Sequence, residues 1–147
     1  YNNITNEILA DYYKGVDRKY VKLSTCNLTQ WGMQGVFLMH TTATVRKDIP
    51  KSHITAGWEA FTQNVIAKLN KHPNKLVYML WGTHAHGYEE FIDTKRHVVL
   101  KASAPALTSF LGCRHFSKAN EVIQKNGNLP LINWGLFTQE IYKELYK

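Results

Sequence analysis

The sequence has little cysteine: Cys26 and Cys113 are the two in 147 residues, and no Cys-x-x-Cys pair occurs. That argues against a disulfide framework or a zinc site and predicts two buried free thiols in an intracellular protein. No apolar run approaches the ~20 residues of a membrane-spanning helix, so no membrane role is expected. The chain opens on Tyr-Asn-Asn, with neither an initiator Met nor a basic n-region. No secretory signal is read there, and a processed or cut chain is expected. Internal repeats and low-complexity stretches are absent. Acidic residues are the scarcer charge, 11 against 18 Lys and Arg, for a formal net charge of +7. The sequence pI of about 9.4 favours a polyanionic partner such as nucleic acid. The basic residues are spread along the chain, which argues against a disordered basic tail.

The rest is ordinary for a globular domain: 44% hydrophobic and 20% charged residues, in a length that fits one domain over 1–147. Ile4, Ile8, Leu9 and Tyr12 share one face of a predicted helix over 3–13. Residues 14–30 read as loop. A short apolar run over 36–40 reads as a buried strand, followed by a polar loop over 41–54. A helix is expected over 55–70 with Trp58, Phe61, Val65 and Leu69 inward, and His72-Pro73-Asn74 ends it. Residues 76–81 and 97–101 read as two further buried strands, separated by a short helix over 83–92. A final helix is expected over 136–146, with Phe137, Ile141 and Leu145 inward. Strands alternating with helices give an α/β class with a short parallel sheet. Ligands of such sheets bind beyond the carboxyl ends of the strands. Those ends are His40, Gly82-Thr83 and the loop over 102–109.

The stretch from Leu111 to Asn120 concentrates the local signals. Gly112 permits a sharp bend, Ser117 is a candidate N-cap for a helix to about Lys125, and Gly127 is a natural stop. Arg114, His115 and Lys118 put cationic or protonatable groups beside that helix start, which makes an anion site. The alternative is a capped surface helix. His84-Ala85-His86 holds two imidazoles but implies no further ligands, so these read as surface histidines.

Gly112-Cys113-Arg114-His115-Phe116-Ser117-Lys118-Ala119-Asn120 resembles a signature of the common uracil-DNA glycosylases. Trp31-Gly32-Met33-Gln34-Gly35-Val36, Thr44-Val45-Arg46, Ser52-His53 and Gly57-Trp58-Glu59 resemble segments of the same family. So do Leu80-Trp81-Gly82-Thr83, Asp93-Thr94-Lys95-Arg96-His97 and Ile132-Asn133-Trp134, all in family order. The resemblance implies that family's three-layer α/β/α fold. It implies that Gly82 and Thr83 approach a DNA phosphate, with Thr83 keeping the hydroxyl of the family's Ser. Leu107 would wedge into the duplex as a base flips out. Thr108, Arg114 and Lys118 complete the implied DNA-facing set.

Two positions depart from the family's pattern. His40 stands where the family has an Asn that reads the edge of uracil. An imidazole offers one donor and one acceptor at a different spacing, so His40 is placed in the base pocket with altered specificity; a His packed at a strand end is the alternative. Ala104 stands where the family has a His that donates to the departing uracil. A methyl group cannot donate, and losing one such donor costs roughly a hundredfold in rate. No catalytic residue is therefore assigned.

The family's Gly-Gln-Asp-Pro-Tyr-His segment, whose Asp activates water, has no counterpart here. The family's first strand, central in its sheet, goes with it. An upstream segment or a protein partner is expected to complete the sheet, and the chain alone is expected to be unstable or aggregated. Three losses at one site predict a uracil-DNA glycosylase-like protein without efficient excision. It would act by binding DNA, single- or double-stranded, or a protein partner. The alternatives are an active glycosylase completed by an upstream segment and a structural subunit of a larger assembly. No cofactor and no metal is expected. The expected location is intracellular, nuclear or mitochondrial in a eukaryote.

Overall fold

The computed structural model describes residues 2–16, 27–127 and 129–135. In chain order the elements are α1 (Asn2–Asp11), α2 (Thr29–Met33), α3 (Trp58–Leu69), β1 (Val77–Trp81), α4 (Thr83–His86), β2 (Val98–Ala102) and α5 (His115–Asn126). Turns of 3-10 helix lie at Gly87–Phe91 and Thr108–Phe110. The chain divides into two compact units, Tyr1–Phe37 with Ala102–Lys147, and Leu38–Lys101. Cys26 and the helix expected over 136–146 lie outside the described residues.

In the first unit the apolar spacing of α1 buries Ile8 completely, in a core that also holds Phe110 and Phe116. Three rings stack edge to face or tilted: Trp31 to Phe116 at 6.1 Å, Trp31 to Trp134 at 5.3 Å and Phe116 to Trp134 at 5.1 Å. Each such pair adds about 0.5–1.5 kcal/mol beyond its burial. Amide side chains close the connections. Asn120 donates to the Ile132 carbonyl at 2.8 Å and accepts from its N–H at 2.9 Å. Gln34 pairs with Asn133 in the same two-point way, at 3.0 and 2.7 Å.

Two acidic residues of α1 share the buried face. Glu7 is 1% exposed, and its carboxylate accepts from the backbone N–H groups of Gly112 at 2.6 Å and Arg114 at 2.8 Å. The Cys113 thiol donates to it at 3.8 Å. One helical turn on, Asp11 accepts from the Ser117 N–H at 2.8 Å and from the Ser117 hydroxyl. A buried carboxylate is tolerated only when its oxygens are satisfied in this way. Gly112 at φ +86 and Arg114 at φ +58 give the turn that aims both N–H groups at Glu7.

The second unit carries a small parallel sheet of β1 and β2. Ile66 of α3 packs with Tyr88 and Ile92, and Tyr78, Leu80 and Val99 of the strands close over them. At the start of the strands His97 is 3% exposed. Its Nδ1 accepts from the Leu76 N–H at 3.2 Å, so the ring proton sits on Nε2, which donates to the Asn70 carbonyl at 3.3 Å. The Arg96 guanidinium donates to the Asn70 and His72 carbonyls at 2.9 and 3.0 Å and so caps the end of α3.

Several expectations are corrected. Residues 36–40 form no regular element and pair with no strand among the described residues, and Phe37 is 65% exposed. An apolar run becomes a strand only where a partner backbone lies beside it. The strands of the sheet are half-buried rather than buried on both faces. The inward stripe of α3 is one residue later than expected, with Thr62 and Ile66 buried and Phe61 53% exposed. Thr62 turns inward because its hydroxyl donates to the Thr41 carbonyl at 3.0 Å. The short helix over 83–92 is α4 followed by a 3-10 turn, and residues 29–33 form α2 where loop was expected. Helix α5 starts two residues before Ser117, with Arg114 as its N-cap.

Replacing Glu7 by Ala removes a buried acceptor from two part-buried N–H groups, those of Gly112 and Arg114, and is expected to destabilise the protein by about 2 kcal/mol. Urea unfolding of the purified protein measures this, and a loss below about 1 kcal/mol would remove Glu7 from its role. Burial, first of all, and then the nearby Glu7 and Asp11 carboxylates push the Cys113 thiol up to about 11. In a Cys26→Ser background, alkylation of Cys113 by iodoacetamide should therefore keep accelerating between pH 8 and 10. A plateau near pH 9 would contradict that environment.

Candidate functional site

In the second unit the backbone leaves β1 through Gly82, at φ +95 and ψ 153, a conformation reserved for glycine. Thr83 follows at the start of α4 and is exposed. His84 is the next residue and lines a cavity of about 220 Å³ together with His40, Lys51, Thr41, Thr42 and Thr44. Val45 and Ile54 form its apolar side. No carboxylate is among the described residues that line it. His40 and His84, one expected in a base pocket and one read as a surface residue, thus face the same space.

The loop that carries this wall is tied down. Trp58 Nε1 donates to the Thr44 hydroxyl at 2.7 Å, and that hydroxyl also meets His53 Nδ1 at 3.0 Å. An indole N–H can only donate, so the Thr44 oxygen accepts from Trp58 and keeps its own proton. The Ser52 hydroxyl accepts from the Arg46 N–H at 2.7 Å, and Arg46 bridges Ile49. Within this turn Asp48 and Lys51 hold left-handed backbone, at φ +58 and +64. Such conformations are uncommon for residues with a Cβ and persist where surrounding bonds impose them.

In the first unit Leu107 is 55% exposed and Thr108 begins a 3-10 turn. Asn3 clamps this loop by donating from Nδ2 to the Pro105 and Leu107 carbonyls at 2.9 and 3.2 Å. Ala104 is half-buried, and its carbonyl accepts from the Leu107 N–H at 2.9 Å. Ser103, the neighbouring hydroxyl, accepts from Ser109 at 2.9 Å. Arg114 and Lys118 are exposed, yet both are engaged: Arg114 Nε lies 3.6 Å from the Asp11 carboxylate, and Lys118 Nζ donates to the Cys113 carbonyl at 2.9 Å. At this helix start the Ser117 N–H is bonded to Asp11, and the Gly112 and Arg114 N–H groups just before the helix are bonded to Glu7.

Gly82, Thr83 and His40 therefore belong to the second unit, and Leu107, Thr108, Arg114, Lys118 and Ala104 to the first. Sequence reasoning missed Asn3, which shapes the Leu107 loop, and Lys51. It also missed Glu7 and Asp11, although two acids four residues apart on an apolar helix face were a visible signal. No group of His, Cys, Asp or Glu suited to a metal ion occurs among the described residues, and none of the described helices is long and apolar enough to cross a membrane.

No family model matches the chain. It is 47% identical over 116 residues to a uracil-DNA glycosylase of Mannheimia succiniciproducens, covering 76% of this chain and 51% of the relative. To the uracil-DNA glycosylase of Vibrio cholerae it is 48% identical over 111 residues, covering 73% of this chain and 49% of the relative. The chain thus spans about half the length of the curated relatives it matches. Among solved structures, mimivirus uracil-DNA glycosylase superposes with a TM-score of 0.69 at 22% identity, over 88% of this chain and 52% of that one. A variant of mimivirus UNG in complex with UGI gives 0.70 at 23% identity, over 88% and 54%. Sequence identity and backbone agree: over the aligned part of its length, the chain belongs to the uracil-DNA glycosylase family.

Proposed function

We propose that this protein is an intracellular, DNA-binding member of the uracil-DNA glycosylase family that does not excise uracil efficiently. The observation that carries this reading is Ala104. Its methyl group offers no proton to a departing base, and the nearest hydroxyl in sequence, Ser103, is engaged with Ser109. The imidazole of His40 in place of an amide supports the same reading, because a pocket built around one pattern of donors and acceptors rejects another. DNA contact is assigned to Gly82, Thr83, Leu107, Thr108, Arg114 and Lys118. The cations act through their side chains, since the helix start beside them is already bonded. A protein partner or an upstream segment supplies the strand that the two-stranded sheet lacks relative to the family.

A second reading has its own support. Identity of 47–48% to proteins named uracil-DNA glycosylase, over half their length, favours an active enzyme whose remaining machinery lies outside these residues. One assay separates the two. The purified protein, in excess, is incubated with a single-stranded oligonucleotide containing one uracil and then treated with alkali. No cleavage on single-turnover timescales is expected, while the same oligonucleotide is retained in a binding assay. Rapid cleavage by protein free of contaminating enzyme would establish the second reading instead.

The double variant Arg114→Gln, Lys118→Gln should keep the fold and lower the salt slope of single-strand binding by about 1.4, or ~0.7 for each phosphate left without its cation. An unchanged slope with an unchanged circular dichroism spectrum would place DNA on another surface.

A further inference from the structure

The cavity beside His40 has the properties of an anion site. Three groups that carry or accept a proton, His40, Lys51 and His84, line it, and no carboxylate among the described residues does. Threonine hydroxyls supply neutral donors on the same wall. The backbone of Lys51 is held in an uncommon conformation. Its backbone sits at φ +64, in a turn fixed by the Arg46–Ile49 bridge and by the Ser52 hydroxyl on the Arg46 N–H. A lysine in relaxed backbone would carry no such cost, and strain held in place by neighbouring bonds marks a residue whose placement matters. At about 220 Å³ the space exceeds a water molecule and takes a compact polyatomic group.

We propose that this cavity is a phosphate subsite, in which the Lys51 ammonium and the His84 imidazole hold a phosphate group beside His40 and a threonine hydroxyl donates to it. An ammonium acts on phosphate as a point charge, and the imidazole adds a directional donor. The group is either a backbone phosphate of bound nucleic acid or free phosphate. The first source rests on the DNA-binding reading above, and the second does not.

Lys51→Gly tests the subsite without risking the fold, because glycine enters left-handed backbone without strain while the ammonium is removed. In one arm, inorganic phosphate is titrated into the purified protein and the backbone amide resonances of residues 40–54 and 84 are followed. Saturable shifts are expected, at least tenfold weaker in Lys51→Gly and in His84→Ala. In the other arm, the salt slope of single-stranded oligonucleotide binding is compared between the wild type and Lys51→Gly. A slope lower by ~0.7 assigns the site to a backbone phosphate. An equal slope together with a weakened phosphate titration assigns it to free phosphate. Equal titrations and equal slopes in both proteins overturn the subsite. Failure of the wild type to bind oligonucleotide at all defeats the DNA-binding reading and leaves the phosphate arm to decide the subsite alone.

Discussion

The first unit depends on a contact between two carboxylates and a turn more than a hundred residues away. Glu7 and Asp11, buried on α1, take the N–H groups of Gly112, Arg114 and Ser117. Without these bonds the buried carboxylates would be left without partners, and the left-handed backbone of Arg114 would lose the bond on its N–H. With them α5 starts at His115, its first turn carries Phe116 into the ring cluster with Trp31 and Trp134, and Asn120 reaches the Ile132 backbone. The charge on α1 thus fixes where the aromatic core begins.

The same contact alters what the 112–118 stretch can do. A helix start flanked by Arg114 and Lys118 is a ready anion site only while its N–H groups are unbonded. Here internal carboxylates already occupy that place, and the two cations are anchored to Asp11 and to the Cys113 carbonyl. What this stretch leaves outward is their side chains, not the helix end. The second unit offers the opposite arrangement, a loop pinned through Thr44, Ser52 and Thr62 that presents basic groups at a cavity with no acid among the described residues that line it.

Much of this was legible in the sequence where the cause is local. The apolar spacing of α1 and the stop at Gly127 place two helices to within a few residues. Gly82 and Gly112 mark the turns that need positive φ. Motifs scattered in family order revealed the fold before any backbone was seen. What could not be read depends on distant partners. Residues 36–40 have strand composition, but pairing is a property of two segments. Phe61 lies on the exposed side of α3 while Thr62 beside it is buried with its hydroxyl on the Thr41 carbonyl, a bond with no sequence signature. The left-handed Lys51 arises from a bridge and a serine hydroxyl closing around it. Glu7 and Asp11 were visible as residues, but their partners in the Gly112 to Ser117 turn were not.

Native-state hydrogen exchange tests the central contact most directly. If Glu7 and Asp11 hold the turn, the amides of Gly112, Arg114 and Ser117 open only with the core and exchange as slowly as those inside α5. Exchange of these three amides at the rate of exposed loop amides, in protein whose α5 interior stays protected, would contradict the account.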